Sequence, residues 1–221
     1  MCGIAGSVGV TVSDEQKNNV LTALKRRGPD AYGSLEKNGC CLLHSRLSII
    51  DPEGGSQPMH LQWEGESYSI VYNGELYNAA ELSSLLAQLG HQFKGHSDTE
   101  VLLHAYAQWG DGCLEKLNGI FAFAIWDSKN RELFLARDHF GVKPLFYTIE
   151  NNTIIFASET CALDSVGAEF VRDIEPGEIV VVEDGEVRSI RDNVKKYDHT
   201  ICIFEYLYFA RPDSIIEGQS V

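Results

Sequence analysis

The sequence is short of positive charge: 18 Lys and Arg stand against 32 Asp and Glu in 221 residues, a formal net charge of −14. A nucleic-acid surface needs clustered cations, so no nucleic-acid partner is expected. No apolar run approaches the roughly 20 residues of a membrane helix, so no membrane partner is expected either. The opening Met1-Cys2-Gly3-Ile4-Ala5-Gly6 has neither the basic n-region nor the long apolar stretch of a secretory signal. No Cys-x-x-Cys pair occurs, and His91 and His96 have no third ligand at a readable spacing, so neither a metal nor another cofactor is expected. Internal repeats, low-complexity tracts and linkers rich in Pro or Ser are lacking too. What is present is ordinary for a globular chain: 44% hydrophobic and 23% charged residues, enough for a sizeable core. Five of the six cysteines (Cys40, Cys41, Cys113, Cys161 and Cys202) sit in apolar segments and read as buried thiols of a reducing, cytoplasmic compartment. Cys2 stands apart.

Two helix starts are marked by capping-box patterns, Ser13-Asp14-Glu15-Gln16 and Ser97-Asp98-Thr99-Glu100. Between them Leu82, Leu85, Leu86 and Leu89 recur at helical spacing, with Gly90 placed to end that helix. The rest reads largely as strand: residues 4–10, 40–50, 68–72, 121–126, 133–137, 145–148, 153–157, 178–182 and 187–190. Turn signals such as Asp127-Ser128-Lys129-Asn130 and Asp184-Gly185 join several of these so tightly that they must run antiparallel. The helices fall mostly in one central block. That pattern predicts an α+β fold with antiparallel sheets, not a doubly wound α/β fold.

Cys2 directly follows the initiator Met, and a small second residue lets that Met be removed. A terminal cysteine carries nucleophile and base together: a thiol with an ordinary pKa of about 8.5 and an α-amine of about 7.7–8.0 that can accept its proton. On position alone Cys2 is a small residue near a chain end. The following Gly3-Ile4-Ala5-Gly6 argues for more, since small residues let the terminus run as a buried strand with room for a ligand. A thiol attacking an amide needs an oxyanion hole, and Tyr72-Asn73-Gly74-Glu75 offers a side-chain amide and a backbone N–H; the alternative is an Asn-Gly hairpin turn. Arg46, in an otherwise apolar strand, suits a substrate carboxylate, or else it snorkels to solvent. Asp98 suits a substrate ammonium, or else it only complements a helix dipole.

Several stretches together resemble the glutaminase domain of glutamine-hydrolysing asparagine synthetases, a class II glutamine amidotransferase. They are Cys2-Gly3-Ile4-Ala5-Gly6, Arg26-Arg27-Gly28-Pro29-Asp30, Arg46-Leu47-Ser48-Ile49-Ile50-Asp51, Tyr72-Asn73-Gly74-Glu75-Leu76-Tyr77-Asn78, Ser97-Asp98-Thr99-Glu100, and 136–147 with its Arg137-Asp138-His139-Phe140-Gly141-Val142-Lys143-Pro144. The resemblance covers residues 1–159. It implies the N-terminal-nucleophile fold, a four-layer αββα sandwich of two antiparallel sheets. It implies that Cys2 is the nucleophile and that Asn73 and Gly74 form the oxyanion hole. Arg46 would hold the carboxylate of L-glutamine, Asp98 and Glu75 would lie near its amine, and backbone groups of Leu47, Ile49 and Ile50 would line the pocket. The implied reaction is hydrolysis of the glutamine side-chain amide through a thioester.

Residues 157–221 resemble amidophosphoribosyltransferase instead, through Thr160-Cys161-Ala162-Leu163-Asp164, Glu175-Pro176-Gly177-Glu178, Cys202-Ile203-Phe204-Glu205-Tyr206 and Phe209-Ala210-Arg211-Pro212-Asp213-Ser214. The chain therefore looks mosaic, by natural recombination, design or truncation. The expected organisation is a glutaminase domain over residues 1–200 and a tail over 201–221 like the start of an acceptor domain. Neither the synthetase's Ser-Gly-Gly-Leu-Asp-Ser type loop nor the transferase's acidic phosphoribosyl pyrophosphate loop occurs, so ammonia would go to a synthetase or transferase domain in trans. Residues 202–209 are mostly apolar and are expected to be buried, folded back as a strand or within a homodimer. The rival from another class is a scaffold of the same fold, natural or chimeric, that binds without turnover.

Overall fold

The computed structural model describes residues 1–150, 153–169, 172–183, 186–191 and, further on, 203–204, 207–208, 210–212, 214–216 and 219–220. In chain order the elements are β1 (Gly3–Val8), α1 (Asp14–Leu24), β2 (Ala31–Lys37), β3 (Cys40–Arg46), β4 (Met59–Trp63), β5 (Glu66–Leu76), α2 (Ala79–Gln88) and α3 (Asp98–Trp109). A 3-10 segment (Gly110–Lys116) leads into β6 (Gly119–Asp127), β7 (Glu132–Arg137), β8 (Phe146–Glu150), β9 (Thr153–Ala157), α4 (Thr160–Asp164), β10 (Arg172–Asp173), β11 (Glu178–Glu183) and β12 (Glu186–Arg191). A short hairpin pairs Ile215–Ile216 with Gln219–Ser220.

One sheet has the order β10-β8-β9-β1-β3-β2 and the other β12-β11-β7-β6-β5-β4, each with antiparallel neighbours. Their inner faces share one core in which Ile4, Leu42 and Phe156 of the first sheet meet Val71, Ala122 and Val180 of the second. The outer face of the first sheet packs Ala5, Cys41 and Leu43 against Val20 and Leu24 of α1 and Leu163 of α4. The outer face of the second packs Ile70, Tyr72 and Phe123 against Leu82 and Leu86 of α2 and Leu102 of α3. These are the four layers of the αββα sandwich, and the expected fold class holds.

Two-sided burial explains why the central strands read as unbroken apolar runs. In β6 the alternation sends Phe121, Phe123 and Ile125 toward the helices and Ala122, Ala124 and Trp126 toward the other sheet. At Gly6 of β1 a Cβ would come within 2.4 Å of the Cys41 carbonyl and 2.7 Å of the Phe156 ring, so only glycine lets the strands and the core close there.

The α1 capping box forms as expected, with Gln16 N donating to Ser13 Oγ at 3.2 Å and Ser13 N to Gln16 Oε1 at 2.9 Å. At α3 only half of it forms. Ser97 Oγ accepts from Thr99 N, while the Glu100 carboxylate takes the amides of Lys94 and Gly95 in the preceding loop. After α2 the amides of Gly90 and His91 return to Ala87 O and Leu86 O, the Schellman closure that the positive φ of Gly90 permits.

Other expectations are corrected. β3 ends at Arg46 and not near Ile50, because the chain leaves the sheet at Leu47. β2 and β4 went unread; both are edge strands with alternating exposed positions and no continuous apolar run. Cys40, Cys41 and Cys113 are buried, and burial pushes the Cys41 thiol up to about 11, but Cys161 is exposed. Cys202 lies outside the described residues. In the tail Ile203, Phe204, Leu207 and Tyr208 are 57–74% exposed, so at these positions the tail does not fold back into the core.

Candidate active site

β1 and β3 run antiparallel with Gly3 opposite Ser45, which puts Cys2 and Arg46 at the same end of the first sheet. The half-buried Cys2 thiol sits against the first residue of the loop that leaves β3: Leu47 N donates to Sγ at 3.4 Å, and Sγ lies 3.7 Å from Leu47 O. Arg27 holds the Cys2 backbone from the other side, its Nε donating to Cys2 O at 2.9 Å while its Nη1 pairs with Glu159.

The buried Arg46 side chain follows Leu42 and His44 on the inner face of β3. Its guanidinium donates to three carbonyls of the loop just beyond, Ile50 at 3.2 Å, Asp51 at 2.7 Å and Pro52 at 2.9 Å. It does not snorkel. It braces the loop. Asp30 and Asp51 fasten the same loop, taking the amides of Ser48 at 2.8 Å and of Gly54 and His96 at 2.9 and 2.8 Å. Leu47 thus touches the thiol, whereas Ile49 and Ile50 lie on the exposed outer part of the loop at 74% and 40%.

Asn73 and Gly74 are not a turn. They lie within β5, opposite Ala122 and Phe121 of β6. A Cβ at Gly74 would meet Ile120 O at 2.5 Å, which explains a glycine inside a strand. Val71 faces the inter-sheet core, so Asn73, two residues on, points the same way. Its side chain is 2% exposed, and Nδ2 has no partner among the described residues. An orphaned buried amide donor is costly and rare, and it is often explained by a group that it meets in function.

Asp98 opens α3 and is buried. Its Oδ2 accepts from Tyr72 Oη at 3.0 Å and from Leu76 N at 3.1 Å. Burial holds its carboxyl above the usual range and the nearby Glu75 charge adds to this, while the hydrogen bonds oppose it. Among the described residues no cation forms an ion pair with this carboxylate. Glu75 itself is exposed at the end of β5.

Cys2 lies outside the two described cavities. One, of about 70 Å³, is lined by Ser7, Cys41 and Leu43 under α1; the other, of about 160 Å³, is lined by Met59, Glu100 and His104 beside α3. Both are set by helix-to-sheet packing, not by the strand ends that carry the thiol.

Residues 1–181 match the family model described as the glutamine amidotransferase domain. This chain belongs to the class II glutamine amidotransferase family. The amidotransferase domain is 47% identical to asparagine synthetase 3 (glutamine-hydrolyzing) of Bacillus subtilis over 74% of this chain and 27% of the relative. It is 32% identical to the amidophosphoribosyltransferase of Methanothermobacter thermautotrophicus over 100% of this chain and 55% of that one. Among solved structures, the glutamine phosphoribosylpyrophosphate amidotransferase of B. subtilis, complexed with ADP and GMP, is similar at a TM-score of 0.81 and 29% identity, covering 99% of this chain and 55% of that one. The chain therefore spans about a quarter to a half of the length of these relatives. Among its described residues no helix is long and apolar enough to cross a membrane.

Several supports of this amidotransferase site have no chemical signature of their own in the sequence. Arg27 holds the Cys2 carbonyl, and Gln57 takes Tyr72 N at 2.6 Å where β4 no longer pairs with β5. Asp138 gathers the amides of Phe121, Phe140, Val142 and Lys143, fixing the loop 138–143 against the β5 end of the site. For Arg27 and Asp138 the Arg-Gly-Pro-Asp and Arg-Asp-His-Phe-Gly stretches are the sequence signal, and they carry no geometry; Gln57 has none.

Proposed function

We propose that this domain hydrolyses the side-chain amide of L-glutamine to glutamate and ammonia through a thioester on Cys2. The observation that carries the reading is the Nδ2 of buried Asn73, unpartnered among the described residues, in a member of this family whose half-buried cysteine thiol follows Met1. Glutamine docks with its carboxylate on Arg46 and its ammonium on Asp98, Glu75 standing close by. Backbone groups of Leu47, Ile49 and Ile50 line its side chain. After loss of Met1 the Cys2 α-amine takes the thiol proton and Sγ attacks the amide carbon. The tetrahedral oxyanion accepts from Asn73 Nδ2 and Gly74 N. As the C–N bond breaks, the amine returns the proton to the leaving nitrogen, and ammonia departs. Water then cleaves the thioester, giving glutamate and free thiol.

The glutaminase unit is assigned to residues 1–200 and the tail, 201–221, to the entry into an acceptor domain. A synthetase matches 74% of this chain at 47% identity, whereas a transferase alignment runs through the whole chain at 32%. The ammonia acceptor is accordingly a synthetase or transferase domain, in cis in a longer chain or in trans, and the site is cytoplasmic. Steady-state glutaminase turnover is measured on protein shown by mass spectrometry to have lost Met1. A glutamine-like diazo-ketone is expected to add one label at Cys2, and Cys2→Ala to abolish both turnover and label. Labelling at Cys113 or Cys161, or turnover that survives Cys2→Ala, overturns the assignment.

A further inference from the structure

Lys143 is a buried cation that the mechanism above does not use. It is 7% exposed. Its backbone is fixed twice: Lys143 N donates to Asp138 Oδ2 at 3.1 Å, and Lys143 O accepts from Arg137 Nε at 2.8 Å. Arg137 also holds the carbonyls of Gly141 and Ile174, each at 2.6 Å, so the side chain leaves from a rigid base. Among the described residues its Nζ makes one hydrogen bond, to the thioether of Met1 at 2.9 Å. A thioether is a poor acceptor for a buried ammonium. The proposed reaction, moreover, requires Met1 to leave. Removing that residue strips Lys143 of its partner and exposes the Cys2 nitrogen, which the Met1 residue and this one hydrogen bond connect to Nζ.

We propose that Lys143 is a positioning residue whose ammonium, released from Met1, keeps the newly exposed Cys2 α-amine in its neutral, proton-accepting form. This deepens the glutaminase reading and rests on it. The need is plain, because an ordinary α-amine is largely protonated at pH 7 and so a poor base. Four groups face the terminus. The cations of Lys143 and Arg27 disfavour a third positive charge, while the Cys2 thiolate and Asp30 favour it. In the chain as it stands burial is the main cause that holds the terminal amine below its ordinary value, and the two cations add to it. Lys143 in turn faces Arg27, Asp138, Glu75 and Cys2. Its fixed loop anchors the stem that carries this charge.

The test is the pH profile of kcat/KM for glutamine in Met1-free protein, comparing wild type with Lys143→Met and Lys143→Arg. Met preserves the aliphatic stem and removes the charge. The acid limb of Lys143→Met is expected to move up by about one pH unit, as for a unit charge several Å away across a partly wet gap. Its activity at pH 6 then falls about tenfold, and the two profiles converge at high pH. Lys143→Arg is expected to keep the wild-type limb. The pH dependence of diazo-ketone labelling at Cys2 follows the same amine without turnover and serves a variant too weak to assay. An unmoved limb in Lys143→Met, or a uniform loss of activity at every pH, overturns the proposal while leaving the nucleophile intact. A wild type without glutaminase activity would instead refute the reading beneath it.

Discussion

Replacing Asn73 by Ala separates a catalytic donor from a structural one, because the two roles move stability in opposite directions. A structural Asn would be hydrogen-bonded, and losing it would cost about 1–3 kcal/mol. Asn73 Nδ2 is buried and has no partner among the described residues, so in the resting protein it is a penalty of about that size that folding already carries. Removing it relieves the penalty and leaves a small void that offsets part of the gain. The expected outcome is a stability unchanged or raised by up to about 1 kcal/mol, which is a rise of roughly 0–4 °C in Tm for a chain of this size. The reaction should suffer instead. Loss of one donor from an oxyanion hole lowers kcat by about 10²–10³, or roughly 2.7–4 kcal/mol, with KM little changed because the donor serves the tetrahedral state. Steady-state kinetics and a thermal melt on the same sample give both numbers. A kcat within threefold of wild type, or a Tm lowered by several degrees, would refute the reasoning.

Arg46→Lys should raise KM for glutamine at least tenfold. Lys cannot reproduce the fork, and the loop 47–58 would lose most of its three carbonyl anchors and become more sensitive to protease; unchanged KM would place the carboxylate clamp elsewhere. Glutamine affinity should improve as pH rises through the raised pKa of Asp98, since the ammonium binds the ionised carboxylate, and Asp98→Asn should flatten that dependence in calorimetric titrations. Acid should also loosen the fold. Burial lowers His44 and His104 each to about 4, so both stay neutral when folded and take protons when unfolded; stability falls as pH drops from about 6.5 toward 4, by about 2 kcal/mol per residue at pH 5. A Tm that stays flat from pH 7 to 5 in wild type would count against this.

The parts legible in the sequence are those where burial forces a pattern. The strands β5, β6, β7 and β11 are covered on both faces and show as apolar runs, whereas β2 and β4, at the sheet edges, alternate too weakly to be told from loops. Asn73-Gly74 has the composition of a hairpin turn, and only the close approach of Ile120 O shows why a glycine belongs inside the strand. Cys2 and Arg46 could be singled out, the first by its place beside the initiator Met and the second as a cation in an apolar strand, whereas Asp98 suits a helix start whatever its role. Arg27, Gln57 and Tyr72 could not, since their partners are groups 15–26 positions away whose approach depends on the closed sandwich.

The alanines of β6 have a mechanical consequence. The Cys2 thiol stands at the end of the first sheet and the Asn73 amide belongs to the second, so the gap between the proposed attacking atom and the proposed oxyanion donor is set by the thickness of the core that separates the sheets. Ala122, opposite Asn73, and Ala124 keep that spacer thin near the site, while Phe121, Phe123 and Ile125 are turned outward to the helices and the inward Trp126 lies four residues further along the strand. The sandwich interior thus works as a calliper: a methyl group added at Ala124, far from any substrate, would open its jaws and detune the reaction without touching a reacting atom.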